Sequence, residues 1–494
     1  MHDNPLRRVL IKFGATATAA LLGCAPLVAK ENLEDKNRFS DQPAPLRLEG
    51  FPKRPALILE LGDRFLSTGN LQRGFTLPTG AVWSPSLWVF GTMRSSLQTF
   101  QPGSRAPADT RITEWVNRLD LFANLQLAAT ERILIGFRPL EENTSPPDFT
   151  GYQFRPVNPN TPGNATRAGK GRFSASSTTP RILFFEGEFG EIFPNLDDAD
   201  RLNLDYSVAV GRQPLTLQDG LLVSDDSIDM VSITRNSLNI PGGTTLRVSG
   251  YYAWDQIERG DNQRDFGARI FGINAAADFP VITVDADLIY VRSERRGLAA
   301  ARTGGDGLFA GIGFNQRIGK LNTVFRANTS IALDGETRSV RNGSLLFAEF
   351  SVTPDYGHDL VYFNVFWGID EFTSAVRAPT AGGPLGRLGI LNAAVGLGRY
   401  GAPLSNFADN AAGGALGYQM FFGELRRRQL ILEVGTRAPT RPATLLRQET
   451  ASGLGARLQQ AIGRRTILIL DAFAVTRKNA SDSYGSRIEF LVKF

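Results

Sequence analysis

The stretch Leu119-Asp120-Leu121-Phe122-Ala123-Asn124-Leu125-Gln126-Leu127 sets the reading of the whole chain, together with Ile133-Leu134-Ile135-Gly136-Phe137-Arg138 after a short break at Ala129-Thr130-Glu131. Leu119, Leu121, Ala123, Leu125 and Leu127 alternate with Asp120, Phe122, Asn124 and Gln126. A period of two puts the two sets on opposite faces of a strand, and two such runs across a tight break read as a hairpin. The alternation recurs at 246–254, 282–290, 323–328 and 346–352. A half-buried soluble sheet alternates in the same way. Length separates the two cases: many of these runs reach about 9 to 12 residues, enough to cross a tilted bilayer path, whereas globular strands usually hold about 5 to 6.

Connections sort by length. Tight turns are expected at Asn239–Gly243, Asp278–Pro280, Ile318–Lys320, Leu425–Arg428 and Ile462–Arg464. Between them lie longer polar connections at 139–180, 256–264, 294–306, 333–343, 369–387, 400–414 and 437–448. Short turns at one end and long loops at the other are the pattern of an outer-membrane barrel. Tyr252, Trp254, Tyr290, Trp367 and Phe494 fall near strand ends, where interfacial aromatics belong. The expected fold is therefore all-β, a transmembrane antiparallel β-barrel of about 18 strands, with about 16 as the alternative. The segments 55–100 and 380–414 carry the weakest pattern.

Composition removes other classes. The 494 residues include 21% charged and 10% aromatic residues, too apolar for a disordered chain. One cysteine, Cys24, excludes a disulfide scaffold or a thiolate zinc cluster. Two histidines, His2 and His358, leave little for a catalytic triad or a multi-histidine metal site, so no cofactor, metal or catalysis is expected. Asp197, Asp198 and Asp200 lack the glycine and distal glutamate of a calcium loop. Gly396-Leu397-Gly398-Arg399-Tyr400-Gly401 matches a dinucleotide fingerprint, but Pro403 follows in place of a helix.

Arg7, Arg8 and Lys12, the apolar run Phe13–Leu22 and Ala29 read as a signal peptide over 1–29, followed by a polar segment at 30–54 and the barrel at 55–494. Without 1–29 the formal charge falls from +5 to +3. Leu21-Leu22-Gly23-Cys24 resembles a lipobox, which would make Cys24 a lipid-bearing N-terminus. Arg7-Arg8 also resembles a twin-arginine signal, but a barrel with an apolar belt cannot fold before export. No later stretch reaches 18 consecutive apolar residues, which excludes a helical membrane protein.

The chain ends Ile488-Glu489-Phe490-Leu491-Val492-Lys493-Phe494, with Ile488, Phe490, Val492 and Phe494 on one face. This resembles the last strand of bacterial outer-membrane barrels, and implies recognition of Phe494 by the barrel-assembly machinery. Gly211-Arg212-Gln213-Pro214-Leu215, followed by Asp219-Gly220 and Ile228-Asp229 and preceded by Phe184-Phe185-Glu186, resembles the alginate-export family of outer-membrane proteins. In that family a Gly-Arg-Gln strand end precedes a glycine-containing loop. Pro214 stands where the family often has a second basic residue. The resemblance implies a monomeric barrel passing anionic polymers or small solutes.

If apolar faces meet lipid, polar faces line the lumen. The basic candidates are Arg118, Arg138, Arg212, Arg247, Arg269, Arg317, Arg326 and Arg457. The acidic ones are Asp120, Glu186, Glu188, Asp205, Asp285, Asp287, Glu349, Glu433 and Asp471. One reading is an arginine ladder that attracts carboxylates. The other is that arginines and acids pair across strands to hold the wall in register, with Arg212 fixed to Asp205 or Asp219. The expected partners are outer-membrane lipid and an anionic or polar solute, with no nucleic acid. The functional alternatives are a structural or enzymatic barrel with a plugged lumen, and a soluble exported β-protein.

Overall fold

The computed structural model describes residues 55–63, 74–103, 111–142, 149–154, 171–197, 201, 203–294, 304–355, 357–387, 394–442 and 448–494. The signal segment, the polar segment to residue 54 and Cys24 lie outside them.

Eighteen antiparallel strands form one closed sheet. In chain order they are β1 (Ser86–Gln101), β2 (Ile112–Gln126), β3 (Arg132–Phe137), β4 (Pro180–Glu188), β5 (Tyr206–Leu217) and β6 (Val223–Leu238). Then come β7 (Thr245–Asp255), β8 (Ala268–Asp278), β9 (Ile282–Ser293), β10 (Gly307–Ile318), β11 (Leu321–Ala332) and β12 (Gly343–Val352). The last six are β13 (Leu360–Asp370), β14 (Ala411–Phe422), β15 (Arg428–Pro439), β16 (Ala451–Ala461), β17 (Thr466–Arg477) and β18 (Ser483–Lys493). Each pairs with the next, and β18 returns to β1 from Tyr484↔Gln101 to Lys493↔Thr92. Phe494 continues that seam: its N–H donates to Gly91 O at 3.0 Å and its carbonyl accepts from Gly91 N–H at 2.7 Å. Closure gives every strand two neighbours, the condition for a sheet in hydrocarbon, where no water satisfies an open edge.

The two faces are inverted relative to a soluble protein. Phe271, Ile273, Leu288, Leu416, Val434 and Leu454 point outward and are 49–59% exposed. Arg326, Glu433, Asp471 and Glu489 point inward and are buried. A contiguous exposed apolar belt of this extent is tolerated only against lipid. Among the described residues, no helix is long and apolar enough to cross a membrane.

The ends of the barrel differ as expected. One end carries the tight turns 279–281 and 319–320. In the latter Gly319 takes φ +60°, so that Ile318 and Leu321 pair directly. The other end carries 138–179, 256–267, 294–306, 333–342 and 371–410. Three connections break the sorting: 189–205 is long at the tight end, and 218–222 and 478–482 are short at the loop end. The expected loops 369–387 and 400–414 fall largely within one connection, 371–410, with no wall strand between them among the described residues.

The Gly-Arg-Gln motif is not a strand end. β5 runs through it to Leu217, and β6 begins at Val223. The wall stops earlier: β4 pairs only with Ser207–Arg212, and β7 pairs with β6 only from Asp229. Residues 213–228 therefore have no wall partners at their sides. They leave the cylinder as a two-stranded finger, with a register shift between Gln213 and Leu215 at Pro214. Gly211 starts the bend at φ +125°, and a Cβ there would lie 2.3 Å from Leu183 O. Leu221, Leu222, Val223 and Ile228 on the finger are fully buried, packed with Phe309, Phe372 and Val376.

Candidate functional site: a constricted, charged lumen

Two insertions narrow the barrel. At the finger tip Gln218 Nε2 donates to Asp287 Oδ2 on β9 at 2.7 Å, and Asp219 Oδ2 takes Arg326 Nη2 on β11 at 2.8 Å. Gly311 on β10 lets the tip approach, since a Cβ there would meet Gln218 Cγ at 2.7 Å.

The second insertion is the 371–410 connection. Its Val376–Arg377 step pairs in parallel with Val223–Ser224 of the finger. Arg377 is fully buried and donates through Nη1 to Gly220 O at 2.6 Å. Further along, Arg399 meets Glu114 on β2 through its backbone N–H at 3.0 Å and through Nε at 3.1 Å. Gln98 on β1 donates to Leu397 O at 2.9 Å. Arg437 on β15 donates to Ser405 O at 2.9 Å, and Arg477 on β17 to Pro403 O at 2.5 Å. The connection thus crosses the lumen, fastened to the finger and to four wall strands. The Gly-rich stretch 396–401 is its seat on the wall: Gly398 has φ +60° and faces Glu114 Oε1 at 2.6 Å from a built Cβ. No helix follows it among the described residues, as a dinucleotide site would need.

The charged wall divides into two flanks. On β16 to β2, Arg457 Nε holds Asp471 Oδ1 at 2.7 Å, and Arg487 Nε donates to Asp471 Oδ2 at 2.8 Å. Arg487 also reaches Glu489 at 3.2 Å, and Arg94 Nε takes the same carboxylate at 2.6 Å. Arg94 faces Arg118 directly across the β1–β2 ladder. Arg118 and Arg138 then share Asp120, each at 2.8 Å. Arg138, the residue after β3, also meets Asp226 at 2.9 Å and Glu141 at 3.2 Å. Arg132 pairs with Glu186 at 2.5 Å near the tight-turn end. Along this flank each of Asp471, Glu489 and Asp120 is shared by two arginines.

The opposite flank is acid-rich. Asp285 shares Arg326 with Asp219, at 3.1 Å from Arg326 Nη1. Asp287 is held by two amides, Gln218 and Asn274, the latter at 2.8 Å. Glu349 stands on the inward face of β12, and on β15 Glu433 accepts Tyr362 OH at 2.6 Å. Arg247 and Arg317 are exposed to the lumen, Arg317 donating to Gly319 O at 3.1 Å.

Three expected lumen residues lie elsewhere. Arg212 shares a face with the exposed Val210 and its ladder partner Leu183, so it points outward. There it holds Asp229 with two bonds, at 2.7 and 2.9 Å, and donates to Pro180 O at 2.8 Å. The partner is neither Asp205 nor Asp219. Arg269 shares its face with the exposed Phe271 and Ile273, and also points outward. Asp205 sits just before β5, paired with Arg235 at 3.2 Å, beside the outward ring of Tyr206. Sequence reasoning missed Arg94 and Arg487. Period-two phase could have found Arg487, which alternates with Ile488 and Phe490. Nothing local marks Arg377, and Arg399 and Tyr400 stand out only within the glycine-rich stretch 396–401.

Fold and outward belt together define an outer-membrane β-barrel with an inward-folded constriction, and they place the chain in a bacterial outer membrane. No protein-family model and no curated protein sequence matches the chain. Among solved structures it is similar to a BenF-like porin from Pseudomonas fluorescens Pf-5, with TM-score 0.53 and 13% identity over 83% of this chain and 98% of that one. It is also similar to OccK2 (OpdF) of Pseudomonas aeruginosa, with TM-score 0.52 and 11% identity over 83% of this chain and 97% of that one. At these identities the likeness is one of fold.

Proposed function

We propose that the chain is a passive outer-membrane channel selective for small polar anions. The observation that carries this reading is the β16–β2 flank, where Arg94, Arg118 and Arg457 are the more accessible partners of their ion pairs with Glu489, Asp120 and Asp471, facing a lumen narrowed by the finger and the 371–410 connection. A guanidinium that shares its carboxylate keeps donors for a passing carboxylate, which then exchanges one charge-assisted partner for another without being stranded. Tyr400 adds a donor there. Its ring lies 5.1 Å from the Arg487 guanidinium carbon, and its buried hydroxyl has no hydrogen-bond partner among the described residues. The alginate-export resemblance would add anionic polysaccharide as cargo. Two insertions bonded around the lumen favour a small solute instead. No bound group and no chemical step are required.

Purified protein refolded into liposomes tests this by solute influx. Gluconate is expected to enter faster than sorbitol, which matches it in size but not in charge. Equal influx, or influx no faster than into protein-free liposomes, would defeat the proposal.

A further inference from the structure

Where the finger and the long connection fill the barrel at its loop end, the polarity of the wall reverses. Ala268 and Ile270 on β8 and Ile289 and Val291 on β9 point inward and are fully buried against the insertions. The intervening positions point outward, and two of them are arginines. Arg269 and Arg292 are direct partners across the β8–β9 ladder. Like charges so placed repel. Three other outward or rim arginines are neutralised: Arg212 by Asp229 at 2.7 Å, Arg264 by Asp255 at 2.9 Å, Arg235 by Asp205 at 3.2 Å. Arg269 instead donates Nη1 to two carbonyls, Trp254 O at 2.8 Å and Ala268 O at 2.7 Å, which orient it but carry no charge. Arg292 is exposed, with no hydrogen bond or ion pair to a described residue.

The pair stands directly above an aromatic row. Phe271 lies between Tyr252 and Tyr290, with centroids 4.9 and 6.3 Å away, and Trp254 lies 6.0 Å from Tyr252. Amphipathic rings of this kind mark the headgroup level of a bilayer. The neighbouring acid Asp306 is engaged, accepting the Tyr290 hydroxyl at 3.0 Å and Ser293 N–H at 2.8 Å. Asp334 acts electrostatically on Tyr290, and Glu294 is exposed beside Ser293. Long connections mark this end as the outer one, so the lipid it meets is that of the outer leaflet.

We propose that Arg269 and Arg292 form a docking site for a phosphate of the outer-leaflet glycolipid, whose acyl chains lie along Phe271, Ile273 and Leu288. One phosphate dianion bridging both guanidiniums removes the repulsion that the ladder otherwise holds. The Tyr252–Phe271–Tyr290 row fixes the depth at which the headgroup sits.

Binding of bis-phosphorylated lipid A to the detergent-solubilised full chain tests the site, read by native mass spectrometry. Dephosphorylated lipid A and phosphatidylglycerol serve as the comparison lipids. Wild-type protein is expected to retain the bis-phosphorylated form preferentially over both. R269Q/R292Q is expected to bind it roughly 30-fold more weakly, while R269K/R292K recovers most of the binding. Single-channel conductance of R269Q/R292Q should equal that of wild type, because both side chains point away from the lumen. That readout also reports that the variant folds and separates failure of this site from failure of the channel reading. Equal wild-type binding of phosphorylated and dephosphorylated lipid A would overturn the proposal. So would equal retention of phosphatidylglycerol, or undiminished binding by R269Q/R292Q.

Discussion

The two flanks of the lumen use the same residue types to opposite effect. From β16 to β2, Asp471, Glu489 and Asp120 are each held by two arginines. From β9 to β12 the ratio turns over: Arg326 alone serves Asp219 and Asp285, and Asp287 makes do with amide donors. Amides satisfy a carboxylate's lone pairs without cancelling its charge. The first flank turns its guanidiniums to the lumen over buried carboxylates, whereas on the second Asp219 and Asp285 are more accessible than the Arg326 they share.

The contrast can be broken from either side. The largest effect is expected from the first flank. R94E/R118E removes two adjacent cations and adds two anions, and should turn the channel from anion- to cation-selective. The reversal potential in a tenfold salt gradient would then change sign, and an unchanged sign would deny that this flank sets selectivity. Next in size, D285N/D287N on the second flank should increase anion preference without changing the sign.

A smaller effect tests what holds the constriction between the flanks. Gly211→Ala puts a Cβ 2.3 Å from Leu183 O at φ +125°. It should destabilise the barrel by about 1 to 3 kcal/mol in urea unfolding and raise current noise as the finger loosens. The smallest expected effect is a pH dependence. Glu258, in the 256–267 connection, is buried near Asp225, and burial first and that neighbouring charge second push its carboxyl up to about 8. Its backbone carbonyl accepts Arg377 N–H of the crossing connection at 2.8 Å. The folded protein therefore binds a proton that the unfolded chain gives up at its ordinary carboxylate value. Local stability should fall as pH rises from that value toward about 8 and then level off. Gating events should become more frequent over the same range, and Glu258→Gln should flatten the trend.

The wall was legible in the sequence because a two-sided strand must alternate. The period at 119–127 and 282–290 leads directly to β2 and β9. What alternation does not carry is the phase at places where the environment changes. Arg269 reads as inward from sequence because Arg is polar and lumens are wet. At that height the lumen is filled by protein, so Ala268 and Ile270 take the inside. Arg212 was displaced by geometry: the wall ends at Arg212 and Asp229, and the finger departs there. The motif 211–215 did mark a special place, the hinge of the finger. The 371–410 connection was illegible, since it is held by the side chains of Arg377, Gln98, Arg437 and Arg477 donating to backbone carbonyls, which leave no local period.

The central claim is that lipid surrounds the apolar face of a closed ring whose interior conducts under the bias of the β16–β2 arginines. Wild-type protein in a planar bilayer under a potassium chloride gradient measures this most directly. Discrete single-channel steps with a reversal potential on the anion-selective side are predicted. Absence of steps, or a reversal potential on the cation-selective side, would contradict the account.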